Sequence, residues 1–171
     1  YYPEFRVSIN LSYVQILKSP LMMELKQIID HSGISCSGII VELTESGYLE
    51  GTPAVRSVWN DMKQLRIQIA LDDFGTGYSN LMNISNLEPD IVKLDRGFTL
   101  KALSRSYEYQ LMQYVIEMVH KLNQYVCVEG VETKEDLEKI KALGPDLIQG
   151  YYYSKPCSRD EFLKKFFDYS E

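Results

Sequence analysis

Six short runs rich in β-branched and apolar residues recur along the chain: FRVSIN (5–10), GIIVEL (38–43), IQIALD (67–72), DIVKLD (90–95), YVCVEG (125–130) and DLIQG (146–150). Their length and composition predict strands. Between most of them, apolar residues recur at helical spacing instead. Ser19-Pro20 opens one such stretch, with Pro20 at the first helical position, Leu21, Leu25, Ile28 and Ile29 on one face, and Gly33 as its stop. Thr52-Pro53 opens the next, which carries Val55, Val58, Trp59, Met62 and Leu65. A longer helix from about Ser106 to Asn123 presents Leu111, Val115, Met118, Val119 and Leu122. Thr133 with Asp136 starts a helix that buries Leu137, Ile140 and Leu143 before Gly144. Ser158 with Glu161 forms a capping box ahead of Phe162, Leu163, Phe166 and Phe167.

Strands that alternate with helices and are apolar almost throughout pair in parallel under a helical cover, as an open doubly wound sheet or a (β/α)8 barrel. The polar residues separate the two. Asn10, Glu42, Asp72, Lys93, Glu129 and Gln149 each stand at or near the C-terminal end of a different strand. An open sheet gathers ligand groups at its switch point, whereas a barrel collects them from many strand ends on one face. The expected fold is therefore α/β, a TIM-type (β/α)8 barrel. Only six strands are legible, so the barrel is incomplete, and its other two strands are expected ahead of Tyr1 because the chain closes on a well-capped helix. A start at YYPEFRV without methionine agrees with a piece of a longer protein.

Composition adds exclusions. At 171 residues, 45% apolar and 25% charged, the chain suits a single globular domain. A net charge of −6 argues against a surface that grips DNA or RNA polymers, and is compatible with cation binding. Cys36, Cys127 and Cys157 are widely spaced and form no CxxC pair, so a thiol or imidazole zinc site is not expected; they read as small core or surface residues. His31 and His120 fall in helices away from the strand ends and read as structural. No apolar run approaches a bilayer span and no leader precedes the first strand, which predicts no membrane contact in this segment and a cytoplasmic location. Tyr151, Tyr152 and Tyr153 are expected to pack the barrel rim in preference to stacking on a base.

The candidate chemistry lies in Glu42, Asp72, Asp73 and Glu129, with Asn10 adding an amide oxygen. This oxygen-rich set suits hard divalent cations such as Mg2+ or Mn2+. Adjacent carboxylates at a strand end repel and need a counter-charge. Two ions would explain the doubled aspartate: one carboxylate bridges both and its neighbour takes the second. Two ions roughly 3.5–4 Å apart generate hydroxide and stabilise an in-line phosphoryl displacement. Lys93 would add positive charge near the attacking water or a phosphate oxygen. Any one of these acids alone reads as solvated or lysine-paired; their shared place at strand ends favours a site. Gly75 and Gly77 in FGTGYSN permit positive φ and a close backbone approach, as a loop over the site or as a plain turn. Glu45, three residues past Glu42, would either hold this loop by hydrogen bonds or start a helix.

INLS, VELTES, LDDFGTGYSNL, LEPDIVKLDRGF, VEGVET and IQGYYYSKP, in this order from about Phe5 to Pro156, resemble the motifs of the EAL family of cyclic-di-GMP phosphodiesterases. The resemblance implies a TIM-type barrel that opens cyclic-di-GMP to linear pGpG with two Mg2+ or Mn2+ ions, in bacterial second-messenger signalling. By motif it implies Asn10, Glu42 and Asp72 as ligands of the first ion, Asp72 bridging, and Asp73 on the second. Lys93 matches the lysine near the nucleophilic water, and Glu129 the general base or second-ion ligand. Glu132 and Gln149 match further active-site positions, and Glu45 matches the anchor of the loop that begins at Asp73. Asn80 stands where serine is usual. The resemblance also implies homodimerisation and regulatory domains upstream. The Glu-Ala-Leu motif, whose glutamate is a metal ligand, is absent from the chain. Residues 1–171 are thus expected to be the C-terminal two-thirds of such a domain, without its first strands, and short of one ligand for activity. Two other readings stand beside this one: a non-catalytic sensor or docking module, and another (β/α)8 phosphate-ester enzyme.

Overall fold

The computed structural model describes residues 5–18, 20–44, 52–76, 84 and 87–167. Its strands are β1 (Val7–Asn10), β2 (Ile39–Thr44), β3 (Gln68–Phe74), β4 (Ile91–Leu94), β5 (Tyr125–Val128) and β6 (Leu147–Ile148). All pair in parallel, and their order in the sheet is their order in the chain. The helices are α1 (Tyr13–Lys18), α2 (Leu21–Ser32), α3 (Pro53–Gln64), α4 (Arg96–Ser104), α5 (Ser106–Lys121), α6 (Lys134–Lys141) and α7 (Arg159–Phe166). Parallel neighbours joined in sequence through helices build the wall of a barrel. Six strands complete only part of it, as the strand count predicts.

The wall has two faces with a period of two. On the outer face Val41, Leu71, Val92 and Val126 are buried against Trp59 and Met62 of α3 and Met112, Ile116 and Val119 of α5. On the inner face Ile40, Ala70, Ile91 and Cys127 form a separate, smaller apolar cluster. The sheet curls around it: Ser8 of β1 and Leu147 of β6 border the same 620 Å³ cavity as this cluster. Phe162 of α7 borders that cavity too, and its ring lies 6.0 Å from that of Phe5, ahead of β1. The C-terminal helix thus spans the side between the two edge strands. At the opposite end, Asp90 and Asp146 accept the amides of Ile69 and Val126, each at 2.8 Å. His120 pairs with the same Asp146 oxygen at 2.8 Å, a structural role.

Several expectations need correction. Pro20 is the N-cap of α2, not its first residue, and Ile28 is 66% exposed, so the buried stripe of that helix narrows to Ile29 with Leu21 and Leu25 beside it. In α5 the buried stripe is Met112, Ile116 and Val119, one position round from the expected one, leaving Leu111 and Leu122 exposed. Both stripes are apolar, and only docking on the sheet chooses between them. Phe166 of α7 is likewise exposed. The short helices α1 and α4 were not legible: α4 has glycine in its first turn and only Phe98, Thr99 and Ala102 buried. The Asp95 carboxylate starts it by accepting from Gly97 N (2.7 Å) and Phe98 N (3.3 Å). The capping boxes at Thr133 and Ser158 are present as expected, as is Pro53 in the first turn of α3.

Candidate active site

Two residues beyond the inner apolar cluster on the same strands come Glu42, Asp72, Lys93 and Glu129. Period-two alternation places all four on the inner face, one layer nearer the C-terminal ends. Lys93 is the centre. Its Nζ lies 2.7 Å from Glu42 Oε2, 2.7 Å from Glu129 Oε1 and 3.0 Å from Asp72 Oδ1. Glu42 and Lys93 are buried polar residues, 8% and 5% exposed. One ammonium is thus shared by three carboxylates from three other strand ends.

Asp73 reaches the same neighbourhood through a defect in the ladder. Leu71 pairs with Val92 and Phe74 with Leu94, so two residues of β3, Asp72 and Asp73, oppose the single Lys93. This is a β-bulge, with Asp73 in the left-handed region at φ 60°. The extra residue restores the alternation beyond it, so that Phe74 takes the buried outer position that Asp73 would otherwise hold. β3 consequently runs two residues past the expected end, while Glu129 and Gln149 stand just beyond β5 and β6.

The electrostatics follow from burial and crowding. Burial opposes the charge on Lys93, but the hydrogen bonds it donates to Glu129 and then Glu42 outweigh this and raise its pKa. Burial raises the Glu129 carboxyl above the ordinary range, Lys93 partly offsets this, and Asp72 and Glu42 add to it. Asp73 is raised by burial, then by Asp72 and Asp95. Under the ring, burial pushes the Cys127 thiol up to about 12, so it stays a neutral core residue. Cys36 is half-buried and Cys157 exposed, as small core and surface residues would be.

These observations test the site against a divalent cation. The donors are all oxygen, and the single lysine leaves most of the carboxylate charge uncompensated. Asp72 Oδ1 is buried without a hydrogen bond, although Lys93 Nζ lies 3.0 Å from it as an ion pair. A hard cation answers each of these needs, so the residues fit the group. Among the described residues no three acidic, cysteine or histidine side chains form a ready-made metal site; the three carboxylates that do converge do so on Lys93 Nζ.

The remaining expected residues spread around this centre. Asn10 ends β1 in register with Glu42 and is exposed, outside the ring of ion pairs. Gln149 borders both the inner cavity and a second, 440 Å³ cavity that adjoins Glu129. Glu132 pairs with Arg96 at 2.8 Å beside that second cavity. Glu45, Gly77 and Asn80 lie outside the described residues. The three tyrosines stand half-exposed at this end, 54%, 39% and 47% for Tyr151, Tyr152 and Tyr153, with Tyr152 and Tyr153 edge-on at 5.3 Å and Tyr153 bordering the inner cavity. Arg96 and Asp95 were missed as site residues. The available signal was their place directly after β4, at the strand end where the other site residues stand.

No helix among the described residues is long and apolar enough to cross a membrane. A family model described as the EAL domain matches residues 2–156. The chain is similar to the cyclic di-GMP phosphodiesterase PdeF of Escherichia coli, 32% identical over 154 residues that make up 90% of this chain and 21% of that protein. Among solved structures it is similar to the EAL enzyme Bd1971 in its cAMP and cyclic-di-GMP bound form, with TM-score 0.89 and 30% identity over 95% of this chain and 43% of that one. It is also similar to the manganese and cyclic-di-GMP complex of Klebsiella pneumoniae BlrP1, with TM-score 0.83 and 26% identity over 89% of this chain and 39% of that one. The chain spans about a fifth of the length of PdeF.

Proposed function

The chain belongs to the EAL domain family, and from that membership we propose that the protein hydrolyses cyclic-di-GMP to linear pGpG with two Mg2+ or Mn2+ ions, in the cytoplasm. We propose further that residues 1–171 are the C-terminal two-thirds of such a domain, lacking its first strands and the Glu-Ala-Leu motif. Homodimerisation and an upstream regulatory domain belong to the same reading. The observation that carries it is the sharing of Lys93 among Glu42, Asp72 and Glu129, with Asp73 delivered beside them by the bulge. A buried lysine crowded by three carboxylates, with shifted pKa values at Lys93 and Glu129, is the kind of cluster that gathers at functional sites.

In the reaction, water adds to one phosphorus, the bond from that phosphorus to a 3′ oxygen opens, and that oxygen ends with a proton from the water. Asn10, Glu42 and Asp72 would hold the first ion, and Asp72 with Asp73 the second. When bound, such ions lower the pKa of water and neutralise charge on the phosphoryl oxygens. Lys93 keeps its proton and holds a positive charge beside the phosphate while fixing three carboxylates in place. Glu129, whose pKa is raised chiefly by burial, is placed to accept the proton of the attacking water or to join the second ion. By the family's motifs Glu45 would anchor the loop that begins at Asp73, and Glu132 and Gln149 would complete the substrate side.

The test is chromatographic detection of pGpG after incubating the intact protein with cyclic-di-GMP and Mg2+ or Mn2+. One pGpG per substrate is expected, with turnover lost in Asp72→Ala. Binding of the dinucleotide without any hydrolysis would replace this reading with that of a non-catalytic sensor.

A further inference from the structure

At the end of the strands away from the Lys93 ring lies a 480 Å³ cavity, bordered by Glu88 and Asp90 ahead of β4 and by Leu122, Gln124 and Tyr125 where α5 leads into β5. Its volume is within the roughly 300–1,000 Å³ of small-molecule sites. Gln124, in its wall, is only 9% exposed, and its side-chain Oε1 is buried with no hydrogen-bond partner. Buried acceptors are nearly always satisfied, so this one calls for a donor that the chain does not supply. The two carboxylates have a related need. Asp90 and Asp146 do the same work at this end, each accepting a strand amide through Oδ2 at 2.8 Å, but Asp146 is also paired with His120. Among the described residues neither Asp90 nor Glu88 has a cation in ion-pair contact. Lys63 Nζ is engaged instead by the backbone oxygen of Glu88, at 2.7 Å. The Tyr125 side of the wall is open, with that residue 53% exposed.

We propose that this cavity binds an alkylguanidinium group. Two carboxylates, one unpartnered amide oxygen and an aromatic ring together suit a planar cation that carries several N–H donors and stacks on aromatic faces. An ammonium has fewer donors and no plane to stack, and a hard divalent cation gains nothing from Tyr125 or Leu122. An anion would meet Glu88 and Asp90 as like charges. Leu122, an exposed apolar residue on the same wall, offers contact to the alkyl stem. The cavity shares no lining residue with the Lys93 ring or with the cavities beside it, so binding here is independent of the phosphodiesterase reading.

The group is carried either by a free guanidino amine or by an arginine side chain, and the test has an arm for each. Agmatine and N-acetylarginine amide are titrated into the intact protein by calorimetry, with n-butylammonium and Ca2+ for comparison. One saturable site is expected, with at least one guanidinium probe binding about fivefold or more tighter than n-butylammonium. Binding of agmatine alone assigns the site to a free guanidino amine; comparable binding of both probes assigns it to the guanidinium as an arginine side chain presents it. Glu88→Gln and Gln124→Met should each weaken binding about fivefold or more. Tyr125→Leu should weaken it and Tyr125→Phe should not, because the ring is what the cation meets. Glu88 is exposed, so Glu88→Gln keeps the unliganded melting temperature and reads the ligand alone. No saturable binding of either guanidinium probe at millimolar concentration would overturn the proposal. So would n-butylammonium or Ca2+ binding as tightly, or wild-type affinity in Glu88→Gln and Tyr125→Leu.

Discussion

Lys93 Nζ and Glu129 Oε1 are 2.7 Å apart, although the lysine comes from within β4 and the glutamate stands just past β5. The contact makes Lys93 the counter-ion of a site that is otherwise all carboxylate. Replacing it by the similarly sized Lys93→Met removes that charge and leaves three inward acids facing one another. Removing one partner of a buried pair costs about 3 kcal/mol or more. We expect a lower melting temperature in chelator, and a larger gain on adding Mg2+ or Mn2+ than in the wild type, since the cation replaces the lost charge. A variant that melts with the wild type in chelator would rule this out.

The same crowding sets a pH dependence. Glu129 and Asp73 both have folded pKa values raised above their ordinary 4.5 and 3.8, each first by burial. The folded state therefore binds protons more tightly than the unfolded chain between those values and the raised ones. Stability contributed by these two groups is fully present below the ordinary carboxylate range and is lost as pH rises through the folded values. In chelator, the stability of the wild type should fall with rising pH across that window more steeply than that of Glu129→Gln. Parallel curves for the two proteins would exclude Glu129 as the source.

How much of this was legible beforehand depended on whether the signal was local. Asn10, Glu42, Asp72, Lys93 and Glu129 could be read as a set because period-two alternation puts strand-end residues of a parallel barrel on one face, and the structure places the last four in direct ion-pair contact. What alternation does not encode is which group is central. Lys93 as hub, and the bulge that carries Asp73, depend on the register between β3 and β4, which no single strand contains. The rotation of α5 by one residue escaped for the same reason, as did the pairing of Arg96 with Glu132 across 36 positions of sequence.

Glycine at 130 serves a contact that can be separated from backbone freedom. Gly130 and Gly144 have nearly the same φ, 78° and 74°, but a Cβ at Gly144 meets nothing within 4 Å while one at Gly130 runs into Arg96. Gly144→Ala should cost about 1 kcal/mol, the backbone term alone. Gly130→Ala should cost more, because Arg96 or the loop must also shift. Equal losses in urea unfolding would show that Arg96 gives way freely.

The C-terminal helix is tied to the first strand by rings. Phe5 lies 6.0 Å from Phe162 and 5.8 Å from Phe167, in tilted and edge-on arrangements. Aromatic pairs of this geometry couple by about 0.5–1.5 kcal/mol beyond the area they bury. A double-mutant cycle with Phe5→Ala and Phe162→Ala should return a coupling in that range. Strict additivity would place the two ends of the chain out of contact in solution.

Asp73 is the position where stability and function are expected to pull apart. It is a non-glycine residue at φ 60°, next to a like charge, with Asp95 adding a second. Asn tolerates the left-handed region at least as well and keeps the size of the side chain, so Asp73→Asn relieves the charge without disturbing the bulge. The metal-free protein should therefore melt at a higher temperature than the wild type at neutral pH, where the aspartate is most costly. On the two-ion reading proposed above, turnover should move the other way, falling about a hundredfold or more, because a second ion would lose its own carboxylate. Higher metal concentration should recover part of that loss, since a weakened ligand set is filled by mass action. A lower melting temperature for Asp73→Asn in chelator would mean that the aspartate stabilises the bulge by itself, and that its doubling owes nothing to a second cation.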